Sequence, residues 1–90
     1  MTKVFIEIVT YDSHACAPCQ YMVEVVKKVA QTTPYEIEWK ETLIKTREGI
    51  QRMKELGVKK LPSILINEVP TFISVIPSEQ QLIAAIKKYV

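Results

Sequence analysis

The sequence predicts an α/β fold with its elements in the order β-α-β-α-β-β-α, and three observations carry that reading. A nearly continuous apolar run rich in β-branched residues, Val4 to Thr10, is soon followed by apolar positions at helical spacing, Met22, Val25, Val26 and Val29. A second apolar run, Leu61 to Ile66, leads through Asn67-Glu68 into another extended segment. Two further helix starts are marked by polar capping residues, Thr46 and Ser78. Continuous apolar runs suit strands covered on both faces, whereas an i, i+3, i+4, i+7 spacing defines one face of a helix.

Val4 to Thr10 reads as a central strand. Glu7 interrupts it and is expected at a strand end or a partly open face, with a buried carboxylate as the other option. Tyr11-Asp12-Ser13-His14-Ala15 is short and polar and reads as a loop. Pro18 is tolerated in the first turn of the next helix, where its missing N–H has no partner to lose, and Thr32-Thr33-Pro34 ends that helix. Glu36 to Glu41 alternates polar and apolar, the pattern of a strand with one wet face at a sheet edge. Thr46 serves as N-cap of a second helix with Ile50, Met53 and Leu56 inward and Gly57 as C-cap. Leu61 to Ile66 is the next strand. Asn67-Glu68 makes a tight turn, although without the glycine that two-residue hairpins favour. Val69 to Val75 returns, and Pro70 marks it as an edge strand. Ser78 with Gln81 forms a capping box before a last helix carrying Leu82, Ile83 and Ile86.

Ninety residues, 48% of them hydrophobic, predict one folded domain over residues 1–90. A formal charge of +2 is too weak to argue for nucleic acid, and no basic run is interleaved with aromatics. No segment approaches the roughly 20 apolar residues of a membrane span, and the opening residues lack a small-residue cleavage site. A cytoplasmic monomer is expected, with no nucleic acid and no membrane among its partners.

The two cysteines, Cys16 and Cys19, enclose Ala17-Pro18 at the junction between the first strand and the first helix. A dithiol there meets unpaired helix N–H groups and the positive end of the helix dipole, which favour thiolate, the attacking species. A redox site is the leading reading. A structural zinc site would need further ligands, and His14 is the only histidine, so a carboxylate or a second subunit would have to contribute. An inert disulfide is the third reading, but so short a loop constrains the unfolded chain little.

At these residues the chain resembles the thioredoxin superfamily, in particular its small glutaredoxin-like and archaeal or bacterial thioredoxin-like members. The likeness spans the first strand, Cys16-Ala17-Pro18-Cys19, the helix after it, Leu61-Pro62-Ser63, the hairpin and the last helix. It implies a four-stranded mixed sheet of order 2-1-3-4 with helices on both faces. It also implies that Pro62 is a cis-proline lying against the cysteine pair, helping to present backbone to a bound partner. The departures are specific. Ala15 stands where thioredoxins carry tryptophan, and Ala17-Pro18 stands where they carry Gly-Pro. Thr10 stands where they carry a buried aspartate, six residues before the first cysteine, so proton transfer at Cys19 must use water or another group. Lys60-Leu61-Pro62 replaces the Thr-Val-Pro of glutaredoxins, and Ile76-Pro77-Ser78-Glu79 replaces their glutathione-gripping glycine–aspartate element.

The resemblance implies a thiol–disulfide oxidoreductase without a cofactor, acting on a disulfide-containing protein and reset by a reductase or a thiol donor. Cys16 attacks and Cys19 resolves the mixed disulfide. Leu61, Pro62, Ala15, Ala17 and Ile76 are candidates for an apolar docking surface, and His14 is a candidate modulator of the Cys16 thiol, against the plainer reading of a solvated loop histidine. A metal or iron–sulfur module built by the cysteine pair across a dimer, and a non-catalytic interaction scaffold, are the alternatives.

Overall fold

The first strand, β1 (Lys3–Thr10), lies inside a sheet of order β2-β1-β3-β4, with β2 spanning Glu36–Leu43, β3 Ser63–Ile66 and β4 Val69–Ile73. This is a computed structural model describing residues 3–12 and 14–90. Met1, Thr2 and Ser13, which the sequence reading puts in the opening run and the first loop, lie outside the described residues. β1 pairs parallel with β2 and antiparallel with β3, and β3 pairs antiparallel with β4, so the sheet is mixed. The helices are α1 (Ala17–Thr32), α2 (Arg47–Leu56) and α3 (Glu79–Ile86), with a short 3₁₀ turn at Lys87–Tyr89. Element order and strand order are those expected from the sequence and its resemblance.

Alternation along β1 divides the interior. Val4, Ile6 and Ile8 are buried with Met22, Val26 and Val29 of α1, Ile64 and Ile66 of β3, and Leu82 and Ile86 of α3. Val9 turns the other way, into a smaller cluster with Leu65 and Val58, against which Met53 and Leu56 of α2 pack. Successive strand side chains point to opposite faces, so α1 and α3 cover one face and α2 the other.

Glu7 belongs to that second face and is fully buried, not at a strand end or an open face. Its carboxylate accepts from Thr42 Oγ1 at 2.6 Å and from Arg52 Nη2 at 2.9 Å, with Arg52 Nε within 3.1–3.3 Å of both oxygens. A buried charge persists only when paired and hydrogen-bonded in this way. Ile50 is a second correction. It is 47% exposed, and Gly49 is the buried residue of α2. Helix α2 closes on the sheet through a backbone approach there, because a Cβ on Gly49 would collide with the Leu43 carbonyl. That turns Ile50 outward.

The local signals hold elsewhere. Thr46 Oγ1 accepts from Gly49 N–H at 2.9 Å, Gly57 ends α2 at φ 72°, and the Ser78–Gln81 capping box is closed in both directions. Asn67 and Glu68 both adopt positive φ, 51° and 68°, the geometry of a type I′ hairpin turn. Asn67 compensates by bonding β1 twice, its N–H to Phe5 O at 2.8 Å and its Oδ1 accepting from Phe5 N–H at 3.0 Å. β4 is shorter than expected, ending at Ile73, and Ser74 turns the chain away from the sheet at φ 60°.

Candidate functional site

The carboxyl ends of β1 and β2 are where the chemistry gathers, as in open α/β sheets generally. After Thr10 the chain crosses a short loop and enters α1 with Cys16 as its N-cap. The loop is braced by Asp12. Its carboxylate pairs with Lys45 of the β2–α2 loop and accepts from His14 N–H at 2.9 Å, and its carbonyl accepts from Ala15 N–H at 3.0 Å. The bond from Lys45, then that from the His14 amide, holds the Asp12 carboxyl below the usual carboxylate range.

Cys16 caps the helix with sulfur. Its Sγ accepts from the backbone N–H of Cys19 at 3.3 Å, and no acidic side chain occupies the first turn of α1. The helix dipole and the Cys19 N–H therefore act on the Cys16 sulfur with no acidic side chain in the same turn. The two sulfurs stand at disulfide-bonding distance, with Cα atoms 5.2 Å apart. Cys16 is half-buried whereas Cys19 is fully buried. Helical spacing produces that difference, because Cys19, Met22, Val23 and Val26 share the face that packs on the sheet. Cys16 is thus the more accessible residue of the pair.

The other predicted residues separate into two groups. Ala15, Ala17 and His14 are exposed on the loop and first turn, and Ile76 is 39% exposed in the β4–α3 loop. Pro62 is buried and Leu61 half-buried, so Pro62 does not supply the exposed side chain expected of it. Their part of the site is backbone. The Leu61–Pro62 bond is cis, as the resemblance implies. Ser63 pairs with Val9, so Pro62 directly precedes the β1–β3 pairing. Ser63 Oγ donates to Lys60 O at 2.6 Å, and Ser74 N–H donates to Pro62 O at 2.9 Å, so the segment is tied on both sides. Sequence reasoning missed Ser74, since no composition signal marks a serine that takes a left-handed conformation. It also missed Tyr11, Ile73 and Val75, which are 53%, 37% and 60% exposed and flank the same end of the sheet.

Thr10 is fully buried, and its Oγ1 donates to Glu41 Oε2 on β2 at 2.6 Å. A hydroxyl in place of the family's aspartate is thus linked to a carboxylate contributed by the neighbouring strand. The opposed run of polar and apolar side chains along β2 contains the signal, but only strand register shows which of its glutamates meets Thr10. Among the described residues, no three or more His, Cys, Asp or Glu side chains converge as a metal site would require, and no helix is long and apolar enough to cross a membrane.

Comparison with known proteins follows the same outline. The chain is 36% identical over 88 residues to a thioredoxin of Methanocaldococcus jannaschii, a match covering 98% of each chain. In fold it is similar to a solved malarial protein, with TM-score 0.76, 21% identity and 99% of each chain covered. It is similar also to thioredoxin-2, described as a component of the malaria parasite's protein secretion machinery, with TM-score 0.73, 21% identity, and 96% of this chain and 82% of that one covered. A family model described as the thioredoxin domain matches residues 4–87. The family and the dithiol geometry fit a thiol–disulfide oxidoreductase, and a match running almost from end to end establishes that the chain belongs to the thioredoxin domain family.

Proposed function

We propose that the protein reduces disulfides in a partner protein through Cys16 and Cys19. The observation that carries the reading is the unequal burial of the two cysteines at one helix N-terminus, Cys16 half-buried and Cys19 at zero exposure. The Cys16 thiolate attacks a partner disulfide, forming a Cys16–partner bond and releasing one partner sulfur as thiolate. Cys19 then attacks the Cys16 sulfur, which releases the second partner sulfur and leaves the Cys16–Cys19 disulfide. A reductase or a small thiol returns two electrons to regenerate the dithiol.

The partner docks against the carboxyl end of the sheet. Tyr11, Ala15 and Ala17 on one side and Ile73, Val75 and Ile76 on the other are exposed there, giving a shallow apolar collar suited to an extended peptide carrying a disulfide. His14 is exposed two residues before Cys16, and a positively charged imidazole close to that sulfur would favour its thiolate. A reducing compartment such as the cytoplasm keeps such a pair in its dithiol state.

The test is insulin reduction with dithiothreitol as electron source, with free thiols counted by mass spectrometry before and after. The parent chain is expected to precipitate insulin B chain and to cycle between two thiols and none, and Cys16→Ser to do neither. A parent that leaves insulin intact would sink the assignment.

A further inference from the structure

Resolution of the mixed disulfide demands that Cys19, fully buried in the folded chain, lose a proton. Burial in apolar surroundings disfavours a thiolate, so an acceptor inside the protein speeds the step. Of the carboxylates at this end of the sheet, Glu48 belongs to the first turn of α2, the helix on the opposite face from α1, and three others remain. Glu7 lies on the α2 face and is committed to Arg52 and Thr42. Asp12 lies in the β1–α1 loop and is committed to Lys45 and the His14 amide. Glu41 is different in placement. It pairs with Ile8 in the β1–β2 register, and Ile8 is buried with Met22 and Val26 of α1, so Glu41 and Thr10 share the face that α1 covers. Cys19 is the first buried residue of α1 on that same face. Thr10, paired with Leu43 of β2, is the last residue of β1 on that face.

On the reading just given for the dithiol, we propose that Glu41, reached through the Thr10 hydroxyl, accepts the Cys19 proton as the mixed disulfide resolves. The hydrogen bond already runs the right way, with Thr10 Oγ1 donating to Glu41 Oε2 at 2.6 Å. A proton passing from Cys19 Sγ to Thr10 Oγ1 displaces the Thr10 proton onto Glu41, and the hydroxyl is restored in the same motion. Cys19 thiolate then forms its bond to the Cys16 sulfur, the Cys16–partner bond breaks, and the partner leaves as thiolate. The Glu41 carboxyl returns its proton to that thiolate or to water. The other ionisable side chains in the loops at this end are Tyr11, Asp12, His14, Lys45, Lys59 and Lys60, and the β4–α3 loop carries none. Of these, Asp12 and Lys45 are paired with each other.

Dithiobis-nitrobenzoate separates the two chemical steps in one stopped-flow trace. Attack by Cys16 releases a first coloured thiolate, and resolution by Cys19 releases the second. In Glu41→Gln the second phase is expected to slow at neutral pH by on the order of a hundredfold, the lower end of the range for a positioned base. The slowing should shrink as pH rises, because hydroxide then takes the proton. Thr10→Val should behave as Glu41→Gln does, while Thr10→Ser and Glu41→Asp should restore the second phase. Circular dichroism of each variant confirms its fold, and the Ser/Val contrast at Thr10 decides if either Glu41 variant fails to fold. A parental second phase in Glu41→Gln or in Thr10→Val, or equal slowing of both phases, overturns the proposal while leaving the dithiol reading intact. A parent chain that releases neither thiolate overturns both.

Discussion

Arg52 on α2 grips Glu7 on β1 across the lower face of the sheet, guanidinium against carboxylate, with one partner 27% exposed at its side chain and the other wholly buried. The same Arg52 Nη2 reaches Glu68 of the β3–β4 turn at 3.0 Å, so one cation joins α2, the central strand and the hairpin. Burial alone would push the Glu7 carboxyl up, yet the bonds from Arg52 and Thr42 outweigh it and hold the carboxyl below its ordinary range.

Arg52→Met leaves that carboxylate buried without its cation. The expected loss at neutral pH is about 3–5 kcal/mol, the usual effect of removing one partner of a buried pair. The sign of the pH dependence should also change. In the parent, the lowered folded-state pKa contributes stability above the unfolded value of about 4.3, and that stability is lost as pH falls through the folded value. In Arg52→Met, burial raises the folded-state value, so stability should fall as pH rises through it. Urea melts from about pH 2 to pH 8 check both. Parallel curves for the two proteins would contradict this account of the pair.

The roles of the two cysteines are separable by labelling. With the helix N-terminus acting on its sulfur, reduced Cys16 should be alkylated by iodoacetamide at neutral pH well before Cys19, whose sulfur is buried. Cys19→Ser should accumulate a Cys16–substrate mixed disulfide visible by mass spectrometry, because the resolving thiol is gone. Faster labelling at Cys19 in the native reduced chain would reverse the assignment.

Glutathione should be a poor electron donor. The N-terminus of α3, where a carboxylate would be gripped, is already capped by Ser78 and Gln81 and carries Glu79 in its first turn. A peptide carboxylate arriving there meets satisfied donors and a like charge. Saturable turnover with sub-millimolar glutathione would show that another surface holds the tripeptide.

Gly49→Ala pits two effects against each other. Alanine is favoured over glycine inside a helix by about 1 kcal/mol, but the new Cβ would be driven into the Leu43 carbonyl and within 2.9 Å of Thr46 Oγ1. Backbone cannot yield as a side-chain tip does, so the collision wins, and the expected result is a net loss of about 1–3 kcal/mol. Thermal unfolding measures it.

The hairpin turn offers the opposite case. Glu68 sits at φ 68°, a conformation costing an ordinary residue about 1–2 kcal/mol. Its bond to Arg52 is made by a side chain 66% exposed, and exposed pairs contribute about 0–1 kcal/mol. Glu68→Gly should therefore be neutral or stabilising by up to about 1 kcal/mol. Asn67→Ala, which loses the Oδ1 bond to Phe5 N–H as well as a residue suited to positive φ, should destabilise by about 1–3 kcal/mol. Paired denaturant titrations compare the two.

What the amino-acid sequence determined by itself is whatever depends on near neighbours. The helix of Met22, Val26 and Val29, the Thr46 and Ser78 caps, the Gly57 stop and the dithiol at the head of α1 each follow from residues within a turn or two of one another, so their spacing alone reveals them. The resemblance added the strand order and the expectation of a cis bond before Pro62. Tertiary structure alone decided the rest. Glu7 looked like a flaw in an apolar strand because Arg52 lies 45 residues away in sequence. Ile50 looked inward because periodicity marks a face but not the glycine at which two backbones touch. Pro62 looked like a docking side chain, yet it is buried and contributes its carbonyl to Ser74. Thr10 looked like a lost acid until the parallel register of β1 and β2 brought Glu41 to its hydroxyl. Hydrogen bonds and ion pairs between distant segments leave no periodic trace in a chain, because which partners meet depends on how whole strands and helices pack.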